Sequence, residues 1–171
     1  MRVLREILGT LILAIVFFFL LQATFQSSVV VGYSMEPNLQ EGERLIINKA
    51  VYIFQEPERG DVIVFHPPNN RLGDYIKRII ALPGDTIEIK KGVVYVNGSQ
   101  LHEPYIKDPP NYTIRQRQIR ENNYFVLGDN RNNSNDSHKG WTVPRQNIIG
   151  KAWLSTWPPS EWGLVPDYSL P

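Results

Sequence analysis

An apolar segment near the N-terminus constrains the fold more than any other feature of this chain. Residues 7–25 read ILGTLILAIVFFFLLQATF, and no side chain from Leu11 to Leu21 is polar. At 1.5 Å per residue, about 19 helical residues cross the ~30 Å hydrocarbon core of a bilayer. We therefore predict an uncleaved transmembrane anchor over residues 7–25. A removed signal peptide, which usually has a shorter apolar region and a small-residue cleavage site, is the main alternative, and a buried soluble helix is another.

The charges that flank this segment predict its orientation. Arg2 and Arg5 precede it, whereas residues 26–33 contain no Lys or Arg. Basic flanking residues remain on the cytoplasmic side of a membrane. We therefore expect residues 1–6 to be cytoplasmic and residues 26–171 to form an extracytoplasmic domain.

The composition of that domain excludes several classes of function. The protein has 18 Lys+Arg and 17 Asp+Glu, and the first 26 residues contain two Arg and one Glu, so the remainder is neutral. It lacks the basic excess of a nucleic-acid-binding protein. Cysteine is absent, which excludes disulfides, thiolate catalysis and Cys-ligated zinc. His66, His102 and His138 have no zinc-binding spacing, and no phosphate-binding glycine loop is present, so we expect neither a metal nor a cofactor.

Short apolar runs separated by Gly and Pro dominate the sequence after the anchor. The run DVIVF at 61–65 lies between Gly60 and Pro67, and the runs at 86–89 and 93–96 flank a Lys-Lys-Gly turn. Such patterns are typical of antiparallel strands joined by tight turns. Further strands are predicted at residues 29–31, 44–51, 74–82, 124–127 and 148–155. The predicted fold class is therefore mainly β, with an N-terminal transmembrane helix followed by an all-β sandwich or barrel-like domain.

Residues 102–123 interrupt this pattern. The segment is polar and contains Pro104, Pro109 and Pro110 together with Lys107 and three Arg. We interpret it as a surface insertion or small flap, and a long ordinary loop fits the sequence equally well.

Two consecutive cations lie inside one predicted strand. Alternate side chains of a strand share a face, so Lys77 and Arg78 point to opposite and mostly apolar faces. A buried Arg needs a carboxylate, because it cannot lose its proton. A buried Lys can instead become neutral as its pKa falls, and a neutral amine can activate a Ser hydroxyl. Ser34, in the sequence GYSMEP, is a candidate for that hydroxyl. The structural alternatives are a strand-edge Lys with a solvated tip and a Ser that caps a turn.

Five ordered segments carry a resemblance to a known family. They are SMEPNLQEGERLIINK at 34–49, RGDVIVFHP at 59–67, YIKRIIALPGDTIEI at 75–89, VLGDNRNNSNDS at 126–137 and GKAW at 150–153. With the apolar segment before them, they resemble type I signal peptidases, the membrane-bound serine proteases that remove signal peptides from exported proteins. The resemblance implies coiled antiparallel sheets with a small flap, a bacterial plasma membrane or thylakoid location, contact with the lipid bilayer, and preprotein signal peptides of the A-x-A type as substrates.

The same resemblance implies roles for individual residues. Ser34 corresponds to the nucleophile, Lys77 to the general base, and Ser134 to a Ser that orients the Lys by a hydrogen bond. The oxyanion site corresponds to the Ser34 N–H and the position of Gly32. Structural support is implied for Arg78, Asp129, Asn130 and Asp136, with Arg78 paired to Asp129, and contact with substrate for Met35, Leu39, Val64, Tyr75 and Ile76.

Two positions depart from the family pattern. Many members have a Ser where this chain has Gly32, and its hydroxyl helps to bind the oxyanion, so the second donor is open here. Many members also have an Arg where this chain has His138, in a salt bridge with the acid that corresponds to Asp136. That bridge is expected to be weaker, pH-dependent or supplied by Lys139.

Two rival functions are considered. A self-cleaving repressor of the Ser-Lys protease type would carry a DNA-binding helix-turn-helix at its N-terminus, where this chain has the apolar segment. A membrane-tethered β-domain without catalytic activity would tolerate substitution of both Ser34 and Lys77.

Overall fold

The computed structural model describes residues 2–68 and 73–168 of the chain. One long helix, α1 (Arg2–Thr24), comes first, and none of its residues is buried. It is long and apolar enough to cross a membrane. It includes the predicted anchor of residues 7–25 except Phe25, which is already the first residue of a strand.

Short strands follow the helix. The strands are β1 (Phe25–Val29), β2 (Arg44–Asn48), β3 (Val62–Phe65), β4 (Tyr75–Ala81), β5 (Thr86–Lys90), β6 (Val93–Val96), β7 (Ser99–Gln100), β8 (Ile114–Gln118), β9 (Asn123–Leu127), β10 (Val143–Pro144), β11 (Ile148–Trp157) and β12 (Gly163–Leu164). One helical turn, α2 (Val51–Phe54), separates β2 from β3.

The strands form two antiparallel sheets. The larger has the order β1–β2–β11–β3–β4–β9–β10 with β12 beside β11, and the smaller has the order β7–β6–β5–β8. The register of β11 shifts twice against β2 and once against β3. Such bulges increase local twist and bend a strand. The prediction of a mainly β fold with curled antiparallel sheets is confirmed.

Strand β3 shows why some apolar runs here do not alternate with polar residues. Val62 and Val64 pack into one core cluster, with Leu45 among its members, whereas Ile63 and Phe65 pack into another. All four residues of β3 are buried. A strand covered on both faces is apolar throughout, which explains the continuous DVIVF sequence.

Two predicted strands differ from the observed ones. The run at 29–31 contributes only Val29, the last residue of β1, which instead starts at Phe25. The run at 44–51 is divided, because the chain leaves the sheet after Asn48, whose side-chain oxygen accepts hydrogen bonds from the N–H groups of Ala50 and Val51.

Part of the segment 102–123 belongs to the smaller sheet. Its residues Ile114–Gln118 form β8, which pairs with β5 at the edge of the smaller sheet. Tyr105 and Ile119 are buried in the core cluster of that sheet. The prolines and basic residues obscured this role, because few apolar residues remain to mark the strand.

Gly150 lies where two strands come into close approach. A Cβ atom on Gly150 would stand 2.5 Å from the carbonyl oxygen of Asn48 and 3.0 Å from Cγ2 of Ile47. Neither neighbour can move freely, since one is backbone and the other belongs to a buried side chain.

We therefore expect Gly150→Ala to lower the free energy of unfolding by about 1–3 kcal/mol, as overpacking of a core does. Gly163→Ala is the matched control, because a Cβ on Gly163 would meet nothing within 4 Å. Denaturant unfolding of the two variants in the same detergent measures the difference. Equal stability of both variants would show that β11 and β2 can move apart at Gly150 without a loss of stability.

Candidate active site

Ser34 lies in the loop between β1 and β2, and this loop is fixed to the loop after β9. The backbone N–H of Asn130 donates to the carbonyl oxygen of Ser34 at 3.0 Å. The Asn130 side-chain amide donates to the carbonyl oxygen of Tyr33, also at 3.0 Å. Met35 and Leu39 are buried in the core below the same loop. The Ser34 backbone is thus held from both sides.

Lys77 reaches Ser34 from strand β4. Its Nζ lies 2.6 Å from Ser34 Oγ, and it donates to the carbonyl oxygen of Ile76 at 2.7 Å. The residue is 4% exposed. Burial lowers the pKa of Lys77 to about 8, against the smaller opposing effect of the Asp136 and Asp129 carboxylates. Near this pH, a substantial fraction of the amine is neutral.

Arg78, on the opposite face of β4, is fully buried and forms a two-pronged ion pair. Its Nε and Nη2 donate to the two carboxylate oxygens of Asp129 at 2.9 and 2.7 Å, and its Nη1 donates to the carbonyl oxygen of Gly60 at 2.9 Å. Asn38 donates to the same carboxylate at 2.8 Å. The carboxylate that a buried guanidinium needs is therefore present.

Asp136 is held by hydrogen bonds inside the loop after β9. It accepts from the backbone N–H groups of Gly128 at 2.9 Å and His138 at 3.1 Å, and its Oδ1 lies 2.7 Å from His138 Nδ1. Burial would raise the pKa of Asp136, but these hydrogen bonds prevail and hold it below its ordinary value. His138, and not Lys139, is therefore the residue that pairs with Asp136 in this structure.

Ser134 lies in the loop after β9, and its hydroxyl oxygen is buried. A hydrogen bond from Ser134 is among the contacts that hold the pKa of Asp136 below its ordinary value. Lys77 Nζ lies within hydrogen-bond distance of Ser34 Oγ and of the Ile76 carbonyl oxygen, and the orienting role expected of Ser134 stays a prediction. The Ser134 hydroxyl packs against Gly128, where a Cβ would collide with Ser134 Oγ and with the Ser34 carbonyl oxygen. Gly128 therefore lets the two loops approach each other.

Gly32 lies beside Ser34 with a φ of +83°, and a Cβ there would meet nothing within 4 Å. Space is thus available for a side chain, but the left-handed backbone strongly favours glycine. No hydroxyl is present at this position to bind an oxyanion.

A cleft of about 620 Å³ opens beside Ser34 and Lys77. Of the five residues expected to contact substrate, Val64, Tyr75 and Ile76 line it, whereas Met35 and Leu39 are buried outside its lining and support the Ser34 loop. The sequence interpretation missed several lining residues, namely Ser28, Val29, Val30, Val31, Leu45, Asp74, Asn133 and Asn135. The short spacing between the apolar segment and Ser34 was the signal that residues 28–31 lead into the site.

Comparisons with known proteins decide the family. The family model described as signal peptidase, peptidase S26, matches residues 3–157. The chain belongs to the type I signal peptidase family. It is 46% identical over 144 residues to a probable signal peptidase I-1 of Synechocystis sp., covering 80% of this chain and 74% of that protein. It is 38% identical over 149 residues to signal peptidase IB of Staphylococcus aureus, covering 77% of each.

A solved structure agrees with this assignment. The crystal structure of a signal peptidase I from Enterococcus faecalis V583 is 30% identical, with a TM-score of 0.52, and the match covers 57% of this chain and 97% of that one. The resemblance inferred from the motifs is confirmed. The chain is therefore a signal peptidase, whose substrates are exported preproteins, and its apolar helix α1 is consistent with membrane association.

The effect of burial on the pKa of Lys77 can be measured directly. In protein with isotope-labelled lysine side chains, we expect the Lys77 NMR signal to titrate near pH 8, well below the ordinary 10.5, with the cation below that pH and the neutral amine above it. Lys90 is the internal control, because its hydrogen bond to Glu88 raises its pKa. The spectrum of Lys77→Ala identifies the signal. A Lys77 midpoint near 10.5 would contradict the effect of burial.

Proposed function

We propose that this signal peptidase uses Ser34 as its nucleophile and Lys77 as its general base, and that it cuts preproteins after small residues of the A-x-A type. The distance of 2.6 Å between Ser34 Oγ and Lys77 Nζ carries the proposal. The buried environment of Lys77, which lowers its pKa to about 8, supports it.

The geometry allows a complete cycle of proton transfer. A neutral Lys77 amine that donates one N–H to the Ile76 carbonyl group retains a lone pair to accept the Ser34 proton. Ser34 Oγ then attacks the scissile carbonyl carbon, and an acyl-enzyme forms as the ammonium group protonates the leaving amine. The same amine next takes a proton from a water molecule, whose oxygen attacks the ester carbonyl carbon. The ammonium group returns that proton to Ser34 Oγ as the ester bond breaks and the signal peptide leaves with a new carboxyl terminus.

The oxyanion is proposed to bind to the Ser34 backbone N–H. Because Gly32 has no hydroxyl, the second donor would be another backbone N–H of the same loop. The loss of one such donor typically lowers the rate by about 10²–10³-fold. The hydrogen bonds from Asn130 to the Tyr33 and Ser34 carbonyl groups support this role, because they fix the peptide planes that carry these N–H groups.

The substrate is proposed to bind as an extended strand in the cleft. Strand β1 is an edge of the larger sheet, and β9 pairs with β4 only from Arg78 onward. Along the described chain, residues 28–31 and 75–77 thus offer backbone groups on two sides of the cleft, as β-strand addition requires. The apolar side chains of Val64 and Ile76 give shallow pockets suited to small substrate residues.

The proposed topology places residues 1–6 in the cytoplasm and the β-rich peptidase domain, within residues 26–171, on the other side of the membrane. Arg2 and Arg5 support it by the positive-inside rule. A bacterial plasma membrane or a thylakoid membrane would serve. The active site then lies on the side where exported preproteins emerge.

The proposed pair is tested by three substitutions. We expect Ser34→Ala and Lys77→Ala to abolish preprotein cleavage, because each removes one partner of the proton transfer. Lys77→Arg should fail as well, since a guanidinium group does not act as the base. Lys90→Arg, at an exposed position, is the matched control. Cleavage is followed by gel shift of a preprotein, with circular dichroism to establish folding.

The pair would be refuted by near-normal cleavage in folded Lys77→Arg. Full activity of both alanine variants would instead favour the rival in which this β-domain has no catalytic role at these residues.

The proposed pocket makes a separate prediction about specificity. Ile76→Ala removes part of the cleft wall and should raise the ratio of kcat/KM for Val against Ala at the position before the cut by about tenfold, the scale of one or two methylene groups. Leu39→Ala is the matched control, because Leu39 is buried away from the cleft. Using a ratio cancels any loss of folded protein. An equal ratio in the two variants would remove Ile76 from the pocket.

A further inference from the structure

The last described residues of the chain contact two of the core clusters, the one below the Ser34 loop and the one of the smaller sheet. We name residues 165–168, which are Val165, Pro166, Asp167 and Tyr168, the C-terminal strap. The Val165 N–H donates to the carbonyl oxygen of Trp153 at 3.0 Å, and its side chain is buried in the cluster below the Ser34 loop. Tyr168 packs instead on the core of the smaller sheet. The strap lies beyond residue 157, the last residue that the family model matches.

The strap completes the enclosure of Arg78. Arg78 Nη1 donates to the carbonyl oxygen of Pro166 at 3.2 Å in addition to that of Gly60. The Arg78 guanidinium carbon lies 5.1 Å from the centre of the Tyr168 ring and 4.5 Å from that of Tyr105. The two rings contact each other, with 5.0 Å between their centres. A guanidinium group is attracted to an aromatic face at such distances.

An ion pair fastens the middle of the strap to the larger sheet. The Lys151 Nζ on β11 lies 2.6 Å from Asp167 Oδ2 and 2.6 Å from Asp61 Oδ1. Asp61 is itself buried and accepts a hydrogen bond from the Tyr52 hydroxyl at 2.7 Å. The strap is therefore held by a backbone hydrogen bond, a buried apolar side chain, an ion pair and an aromatic contact.

We propose that the C-terminal strap is a positioning element for the catalytic base. Arg78 follows Lys77 directly in β4, so contacts that fix the Arg78 side chain also fix the peptide that carries Lys77. Tyr168 and the Pro166 carbonyl group act through Arg78, exclude water from one side of its pair with Asp129, and keep Lys77 Nζ at Ser34 Oγ. The inference rests on the proposed roles of Ser34 and Lys77.

The test compares Tyr168→Ala with Tyr168→Phe in the full-length protein in detergent. We expect Tyr168→Ala to lower kcat by about tenfold with KM within about twofold, because small displacements of a reacting group are costly while the cleft is unchanged. The pH midpoint of kcat should rise, since an Asp129 carboxylate that is less tightly paired with Arg78 favours the Lys77 cation more strongly. Tyr168→Phe keeps the ring and should restore both values.

Trp162→Ala is the matched control, because Trp162 is an exposed aromatic residue of the same C-terminal region. It should leave kcat and the pH midpoint unchanged. If Tyr168→Ala does not fold, Tyr168→Leu keeps apolar bulk without the ring, and the same differences from Tyr168→Phe are expected.

The proposal would be overturned if the folded Ala or Leu variant kept the parent's kcat and pH midpoint. It would also be overturned if kcat fell only in proportion to the unfolded fraction, with the pH midpoint unchanged. Lys77→Ala separates this result from failure of the proposed function. An inactive Lys77→Ala with an unaffected Tyr168→Ala rejects the strap alone, whereas an active Lys77→Ala rejects both.

Discussion

The rest of this structure depends on how two consecutive buried cations are accommodated. Lys77 and Arg78 both lie in the interior of a β-sheet, where an uncompensated charge is expensive. The fold solves the problem differently on the two faces of β4. Arg78 keeps its charge and is enclosed by Asp129, backbone carbonyl groups and aromatic rings, whereas Lys77 has one hydroxyl and one carbonyl group as hydrogen-bond partners and a depressed pKa. Structural rigidity and chemical reactivity thus arise from neighbouring residues.

The Asp129 carboxylate joins the parts of the site that must remain in register. It accepts hydrogen bonds from Arg78 on β4 and from Asn38 in the loop that carries Ser34. The next residue, Asn130, holds the Ser34 loop through backbone carbonyl groups. Ser34 and Lys77 come from elements far apart in sequence, and this small group of polar contacts brings them together. Since these contacts are directional and lie in buried or partly buried surroundings, loss of one side chain leaves the polar group that it contacted without a partner.

Much of this arrangement could be predicted from the local sequence. The rest could not, because it depends on contacts between segments that are far apart in the sequence. The β-rich class followed from runs such as DVIVF, and the need of Arg78 for a carboxylate followed from its place in an apolar strand. The position of Met35 and Leu39 beneath the Ser34 loop could not be predicted, because apolar residues suit a pocket wall and a core equally. The strand at 114–118 was hidden by charged residues at a sheet edge. The hydrogen bond from Lys77 to the Ile76 carbonyl group could not be predicted either, because no side-chain pattern indicates a backbone acceptor.

The junction between Thr24 and Phe25 has a mechanical consequence. The helix ends where β1 begins, and the backbone N–H and side chain of Lys49 donate to the carbonyl oxygens of Thr24 and Gln22 at 2.8 and 3.2 Å. Because β1 follows α1 directly, an α1 that spans the membrane, as proposed, would hold the edge strand β1 at a constant height above the lipid. Under that topology, the distance between a cleavage site and the membrane-embedded part of the preprotein would decide whether the site reaches Ser34.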